Sequence, residues 1–445
     1  MPEDRERVLA LLEKYGWNAT SFQILEPGFR YWFSDEACVG YVDTGSAWVA
    51  AGPPIAPASE LAITTQRFVA AARAAGRRVC MFATETRFRD AIDWQALQVG
   101  EQPIWLPGAW DDILRASRSL REQLRRARAK GVRVRALARE ELAADHATRR
   151  ELDALIARWL ASREIAPMGF LVQVDPFTYP ERRRYFVAER DGTIVGFLGV
   201  VPIYARTGWF FEDFLRDPSA PNGTIELLVD AGMRDAAAAK IEFVTLGLAP
   251  LAGQLNPWLR SARRLGRTLY DFDGLRAFKA KLKPQKWDPI YLSYPRGKSS
   301  LVALVDTLTA FSRGGLLRFG IASLLRGPAI VFRLLAALLV VWTVLLALPI
   351  SARWFPSPAW QCGWVAFDVL LGGALFALAH RWRQPLADVV ASVVTADAAA
   401  TLAQAIAFDL PRAHGVLDYA VISIAVLAPT CAAVLLWNAR MHRAR

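Results

Sequence analysis

Three groups of residues in this chain combine types and spacings that can do chemistry. The first is acidic: Glu212, Asp213 and Glu226, with Arg216 close by. A carboxylate can orient an incoming hydroxyl or hold an ammonium group. In an extended strand Glu212 and Asp213 point to opposite sides, so at most one of them is expected to face a given cleft. Glu226 opens a helical pattern, where the helix dipole alone is enough to explain a carboxylate. The second group lies in residues 274–295, "GLRAFKAKLKPQKWDPIYLSYP", which set Arg276, Lys279, Lys281, Lys283 and Lys286 among Phe278, Trp287, Tyr291 and Tyr294. Such cations can hold phosphate or stabilise the oxyanion that forms when an ester carbonyl is attacked. The aromatics can stack on a base or sit at the level of lipid headgroups. Lys283 and Lys286 read as plain basic surface. The third group is the run 115–137, "RASRSLREQLRRARAKGVRVRAL". At about 100° per residue, Arg118, Arg121, Arg125 and Arg128 follow one helical face and can track the phosphates of RNA or of anionic lipid. A solvated charged face carries the same pattern, but only Glu122 offers compensation within the helix.

The elements that must position these groups occur twice. In the later copy, "RRYFVAERDGTIVGFLGVVPI" reads as two β-rich runs joined by Asp191-Gly192, a strong hairpin signal. "GWFFEDFLRD" follows as a strand, "GTIELLVDAGMRDAAAA" as a helix and "KIEFVTLGLAP" as a strand. In the earlier copy "YWFSDEACVGYVDTGSAWVAAGPPI" gives hairpin-like strands, "ELAITTQRFVAAARAAGR" a helix and "RVCMFAT" a strand. Strand hairpin, strand, helix, strand is the central order of a GNAT-type acyltransferase. The expected fold class is therefore α+β, with two GNAT-like units in tandem. The boundaries read as 1–112 for the first unit, 113–140 for the basic connecting helix and 141–296 for the second, catalytic unit. A coenzyme-A-dependent GNAT enzyme needs a glycine-rich turn opening its central helix, where N–H groups grip pyrophosphate. The corresponding "DPSAPNGTIELL" has one glycine, Gly223. That weakens an acyl-CoA-dependent N-acyltransferase, the first alternative reading. The second alternative is a non-catalytic protein that binds anionic lipid or RNA at a membrane surface.

Past the second unit the chain turns apolar. Residues 297–327 repeat apolar positions at helical spacing with a few arginines, as an interfacial helix would, or as ordinary packing against the preceding domain would. Candidate membrane spans follow over 328–350, 360–380, 389–408 and 416–437, the third weakened by Asp397 and Gln404. Four spans are expected and three are the fallback, within a membrane region of 328–440. Asp368, Asp397 and Asp418 can mark a polar pathway, or lie near helix ends and bond across the bundle. Arginines crowd the approach to the first span, the middle loop and the tail, which with an even number of spans puts both ends in the cytoplasm.

The totals agree with an anionic partner. The 445 residues carry a formal charge of +12, and the mean hydropathy is +0.20. Four cysteines and four histidines are scattered without a ligand-like spacing, so no structural metal, no disulfide framework and a reducing compartment are expected. The N-terminal "MPEDRERVLALLEKYGWN" lacks an apolar export segment.

Seven motifs in sequence order then carry a resemblance. "GWNATSFQILEPGFRYWF", "VGYVDTGSAWVAAGPPIAP", "SLREQLRRARAKGV", "FVAERDGTIVGFLGVVP", "EDFLRD", "TLGLAPLAG" and "YDFDGLRAFKAKLKPQKWDPIYLSYP" resemble the cytosolic synthase domain of the phosphatidylglycerol lysyltransferases and related aminoacyl-phosphatidylglycerol synthases, over about residues 10–295. The resemblance implies two tandem GNAT-like domains. It also implies transfer of an aminoacyl group, lysyl first among them, from aminoacyl-tRNA to a glycerol hydroxyl of phosphatidylglycerol or a similar anionic lipid. Neither cofactor nor metal is implied, because the donor ester is already activated. The implied setting is a bacterial inner membrane with the catalytic units facing the cytoplasm, and the implied result is a lowered negative surface charge, as in resistance to cationic peptides. Matched motif positions are Glu212, Asp213, Arg216, Gly247, Ala249, Pro250, Tyr270, Phe272, Arg276, Phe278, Lys279 and Lys281. On that basis Asp213 or Glu212 is expected to meet the donor's amino group or the attacking hydroxyl. Arg276, Lys279 and Lys281 are expected on phosphate and carbonyl oxygens. Arg216 is expected either on lipid phosphate or paired with one of the carboxylates. "DFLR" and "FKAKL" replace the family's "DLMR" and "FKAKF", both apolar exchanges. Familiar members place a large flippase-like region before this domain, whereas here the spans follow it, which suits an anchor better than a flippase.

Overall fold

The computed structural model of the protein describes residues 2–163, 168–266, 271–312, 315–325 and 329–443. It has two compact units, Met1–Leu160 with Pro167–Leu316, and Ala161–Ala166 with Leu317–Arg445.

The first unit begins with helix α1 (Pro2–Tyr15) and enters a sheet through β1 (Arg30–Ser34), β2 (Ala37–Asp43) and β3 (Ala47–Ala51). Helix α2 (Leu61–Ala74) crosses over to β4 (Arg78–Thr84), which lies parallel to β3. After the short α3 (Thr86–Ala91) come β5 (Gln95–Trp105), α4 (Trp110–Ala116), the basic α5 (Arg118–Ala129), β6 (Arg133–Ala136) and α6 (Ala147–Ala161). The motif then repeats: β7 (Arg184–Arg190), β8 (Thr193–Ile203), β9 (Gly208–Arg216), crossover helix α7 (Thr224–Ala238), and β10 (Phe243–Thr245) parallel to β9. The β7–β8 turn is Asp191-Gly192, both with positive φ (53° and 77°), as a primed hairpin turn requires. β11 (Ala249–Pro250), α8 (Pro257–Gly266), α9 (Phe272–Lys281), β12 (Lys286–Tyr294) and α10 (Ser300–Phe311) complete the unit.

The twelve strands among the described residues share one sheet, in the order β1-β2-β3-β4-β12-β5-β10-β9-β8-β7-β6 with β11 beside β5. The middle of that order shows an exchange between the two repeats. β5, which follows the first motif, pairs with β10 of the second, and β12, which follows the second, pairs with β4 of the first. Each repeat thus closes the other's sheet, and β5 and β12 pair along their length at the centre. The first part of the segment expected at an interface packs on this unit. In α10, Ala303, Asp306, Thr307 and Ala310 are buried and Asp306 pairs with Arg78, while Leu301, Val302, Val305 and Leu308 are exposed.

The second unit holds α11 (Leu316–Leu325), α12 (Ala329–Ala347), α13 (Pro358–His380), α14 (Gln384–Gln404) and α15 (Val416–Arg443). Among the described residues three helices are long and apolar enough to cross a membrane: Pro358–His380, Gln384–Arg412 and Val416–Met441. The expected first span is the apolar helix α12, Ala329–Ala347, which stops three residues before the expected end at 350 and whose approach lies outside the described residues. Leu348 leaves the helical region (ψ 146°) because it precedes Pro349, and this ends the helix early. The weakened third candidate is a helix over its whole expected length. Phe332, Leu371, Leu375, Val390, Val394 and Leu436 form the shared core of the bundle. Its aspartates bond locally: Asp368 accepts from Thr343 (3.4 Å), Asp397 from Thr401 (3.3 Å) and Asp418 from Arg353 (3.1 Å).

Candidate active site

Strand β9 departs from regular pairing at its acidic residues. Its register with β8 runs from Gly196↔Arg216 to Gly199↔Asp213 and resumes at Val200↔Phe211, which leaves Glu212 as the extra residue of a β-bulge. Side-chain direction follows from the cores on either side. Trp209, Phe211 and Phe214 join the core that includes α7, whereas Phe210 and Leu215 join cores on the opposite face. Glu212 and Asp213 therefore fall together on the face away from α7. The expectation that they diverge holds for an unbulged strand and fails here.

Two residues that sequence reasoning did not single out complete this site. Arg183, just before β7, has a fully buried side chain and bridges two carboxylates, donating to Glu212 and, at 3.2 Å, to Glu26 Oε1; its Nε donates to the Thr178 carbonyl at 2.8 Å. Glu26 ends the buried turn Ala19–Leu25 of the first repeat, within the matched motif "LEPGFRYWF". A lone charge in the largely apolar stretch "FQILEPGF" could have marked it. One oxygen of each acid, Glu26 Oε2, Glu212 Oε1 and Asp213 Oδ2, is buried without a hydrogen-bond partner. Burial and then Glu212 push Glu26 up to about 10, against the pull of Arg183. The same two causes raise Asp213 well above the usual carboxylate range. Burial works against the charge of Arg183, but Glu212 and Glu26 outweigh it and hold the guanidinium above its ordinary value.

The predicted cations of α9 form a second group. The helix starts where the Asp271 side chain accepts from Gly274 N at 2.8 Å. Lys279 is 5% exposed, and its Nζ donates to the carbonyls of Leu246 (2.8 Å), Gly247 (2.9 Å) and Leu248 (2.8 Å). Burial pushes this lysine down to about 7. The three acceptors favour the ammonium form, whose three protons they match one for one. Lys279 thus pins the loop after β10. Lys281 donates to Glu226 at 3.2 Å, and Arg276 donates to Glu101 at 2.8 Å while stacking over Trp287. Arg216 donates to Asn222 at 3.3 Å, and the carboxylate pairing considered for it belongs to Arg183 instead. Tyr270 lies outside the described residues.

The arginine row of α5 divides by partner. Arg128 donates to the buried Asp230 at 2.7 Å, and Asp230 also accepts from Trp110 and Arg234. Arg125 chelates Glu122, and Arg121 donates to the Leu114 carbonyl at 2.6 Å. Arg118 lines a cavity of about 420 Å³ with Ser117, Ser119 and Lys283. Helix α5 also covers the start of α7. Gly223, with φ +97° at the N-cap, lies so close that a Cβ there would sit 2.9 Å from Ala127 Cβ and from the Gln123 carbonyl oxygen.

Residues 9–294 match the family described as phosphatidylglycerol lysyltransferase, C-terminal. The chain belongs to this family. It is 33% identical over 168 residues to the phosphatidylglycerol lysyltransferase of Bacillus subtilis, an overlap of 35% of this chain and 19% of that protein. It is 27% identical over 256 residues to the lysylphosphatidylglycerol biosynthesis bifunctional protein LysX of a Mycobacterium species, covering 50% of this chain and 22% of that one. The chain thus spans about a fifth of the length of these curated relatives. Among solved structures, it is similar to a C-terminal domain described as that of a lysylphosphatidylglycerol synthetase from Agrobacterium fabrum, with TM-score 0.59, 25% identity, and 71% and 99% of the two chains covered. L-PGS from Bacillus licheniformis shares the fold, with TM-score 0.58, 22% identity, and 69% and 96% covered. This family's α+β, GNAT-like architecture is the one built above.

Proposed function

We propose that the protein is a membrane-anchored aminoacyltransferase that moves an aminoacyl group from aminoacyl-tRNA to a headgroup hydroxyl of phosphatidylglycerol. The observation that carries this reading is the pair of carboxylates, Glu212 and Asp213, brought to one buried face by the β9 bulge inside a chain of this family. In the reaction the headgroup hydroxyl attacks the carbonyl carbon of the aminoacyl ester. The bond to the ribose oxygen breaks, and the hydroxyl proton ends on that oxygen. Asp213, with its raised proton affinity, is suited to take the proton and return it. One ester replaces another, so positioning and oxyanion stabilisation supply most of the rate. Lys279 contributes by holding the 246–248 loop, and Arg276 and Lys281, half exposed while paired with Glu101 and Glu226, can meet phosphate only by sharing or exchanging those partners. Arg118, beside its cavity, is the α5 arginine best placed for an outside phosphate.

The closed start of α7 favours tRNA over coenzyme A as donor. A pyrophosphate would need the helix N-terminus that Gln123 and Ala127 occupy. The apolar helices anchor the catalyst, with its first unit on the cytoplasmic side. The lysyl product lowers the negative charge of the membrane surface.

The test is mass spectrometry of the phosphatidylglycerol pool from cells expressing the chain or its Asp213→Asn variant. An aminoacyl adduct that disappears in the variant is expected. Membranes that contain the folded chain and show no adduct would sink the proposal.

A further inference from the structure

Helix α10 has two faces that meet different surroundings. Around the helix, Ala303, Asp306, Thr307 and Ala310 fall on one side and are buried, whereas Leu301, Val302, Val305 and Leu308 fall on the other and are 42–57% exposed. The buried side is fixed to the first unit. Asp306 accepts from Arg78 of β4 at 2.6 and 2.9 Å and from Ser46 at 3.2 Å, and the Phe311 carbonyl accepts from Gly169 N at 2.8 Å. The exposed side is an apolar stripe about 120° wide. Elsewhere in this unit, among the described residues, exposed large apolar side chains stand singly along the chain, at Ile63, Leu106, Val172 and Leu316. Single residues of that kind need no explanation, but a stripe does.

What covers the stripe follows from its length, its place in the chain and its charge. A helix of 12 residues rises only about 18 Å, short of the roughly 30 Å of hydrocarbon in a bilayer. With Asp306 also tied to the sheet, α10 does not cross a membrane, although Ser300–Phe311 and Leu316–Leu324 together are apolar enough for a bent span. After it, α11 exposes Leu317, Ile321 and Leu324, and the apolar α12 begins at Ala329. The stripe is thus continuous along the chain with the helices that enter the membrane. The one acid in α10, Asp306, lies on the buried side. Among the described residues the nearest exposed charges along the chain, Lys298 before the helix and Arg318 after it, are both cations. An apolar stripe free of acids and flanked by cations suits the surface of an anionic leaflet, with acyl chains against the stripe and phosphates near the cations.

We propose that α10 lies in the headgroup layer as an interfacial helix, with Leu301, Val302, Val305 and Leu308 toward the acyl chains, and that it fixes the first unit against the bilayer in one orientation. The occupant of the stripe is the lipid surface itself. This goes beyond the aminoacyl-transfer reading and does not need it. Where that reading holds, docking supplies effective concentration, because a catalyst held at the leaflet meets headgroup hydroxyls without a fresh encounter for each turnover.

The experiment uses the full chain in phosphatidylglycerol nanodiscs. Cys362→Ser and Cys431→Ser remove the exposed thiols, and an environment-sensitive fluorophore is placed on Val305→Cys, on Leu308→Cys or, as the control, on Ile63→Cys. Blue-shifted emission and quenching by lipids with a nitroxide near the headgroup are expected at 305 and 308 and not at 63. Water-like emission at all three positions overturns the proposal. So does blue-shifted emission at 305 and 308 without lipid quenching, which would put protein on the stripe, either this chain's own helices or a second copy. The link to transfer is read separately with Val305→Glu combined with Leu308→Glu, which alters only exposed side chains and leaves the second unit untouched. Transfer to bilayer phosphatidylglycerol should fall about tenfold, with transfer to a short-chain, water-soluble phosphatidylglycerol unchanged. An unchanged rate on the bilayer lipid, or an equal loss on both lipids, overturns that link. Absence of transfer by the unaltered chain would count against the transfer reading alone, since the fluorophore reports docking without any turnover.

Discussion

The two repeats share a frame and differ in how they treat a buried acid. In the first, β2 and β3 pair in unbroken register and β3 reads Ala-Trp-Val-Ala-Ala. Its buried acid, Asp306 from α10, is fully engaged, with Oδ1 accepting from Ser46 (3.2 Å) and both oxygens accepting from Arg78 (2.6 and 2.9 Å). In the second repeat the equivalent strand β9 bulges, and its Glu212 and Asp213 keep oxygens with no partner, as does Glu26, which the first repeat places beside them. A satisfied acid stabilises the fold. An unsatisfied one costs stability, and persists where something outside the chain completes it. On the proposed function the first repeat is mainly scaffold, apart from the Glu26 that it places against Arg183.

The sharpest way to break this comparison is at Asp213. Asp213→Asn keeps the shape and removes the proton acceptor, so transfer to phosphatidylglycerol is expected to fall about 100-fold or more with thermal stability unchanged or higher. A variant that transfers normally would make the orphaned carboxylates of β9 incidental. Lys279→Met tests the neighbouring loop through stability. It strands the three carbonyls of 246–248, and unfolding by denaturant should show a loss of at least about 2 kcal/mol. No loss would mean that the loop is held by other contacts.

Linkage to pH gives a third contrast. Glu26 rises from an ordinary 4.5 to about 10 in the fold, so between those values the folded state keeps a proton that the unfolded state has released. Its stabilising contribution is complete below pH 4.5 and is lost as pH rises toward about 10. Glu26→Gln should flatten the decline of Tm across that window, and parallel Tm–pH curves for the two proteins would contradict the assignment. In the first repeat, Asp306→Asn should cost about 1–2 kcal/mol, discounted because Arg78 is half exposed, and leave the transfer rate alone. A loss of rate greater than the loss of folded protein would show that the first repeat shares the chemistry more widely.

Legibility in the sequence followed the range of the interaction. The Asp191-Gly192 turn, the alternating strands and the crossover helices are local signals, and both repeats were readable from them. The seven motifs likewise pointed to the family. Pairing between distant segments was not readable. Nothing in the local pattern announces that β5 and β12 trade places between the repeats, because both are ordinary β-rich runs. The bulge at Glu212 depends on the register with β8, and period-2 alternation misleads wherever one residue is added. Arg183 and Glu26 are 157 positions apart and become partners through the fold. Several cations that looked alike in the sequence proved different: Lys279 is buried on carbonyls, Lys281 is paired with Glu226, and Arg128 is tied to Asp230.

That last distinction sets the smallest effect. Among the α5 arginines, Arg128 meets a buried acid and Arg118 lines an open cavity. If α5 meets tRNA, Arg118→Ala should weaken binding of charged and uncharged tRNA alike and reduce the slope of log affinity against log salt by roughly 1 or less, with stability unchanged. Arg128→Ala should do the reverse, lowering stability because Asp230 loses a charged partner at 2.7 Å, with a smaller change in the salt slope. Equal salt slopes for the two variants would mean that the row acts as a diffuse field whose members are interchangeable. Unequal slopes would extend to the basic helix the rule drawn from the acids, that groups already satisfied within the fold build it and those left open meet the substrate.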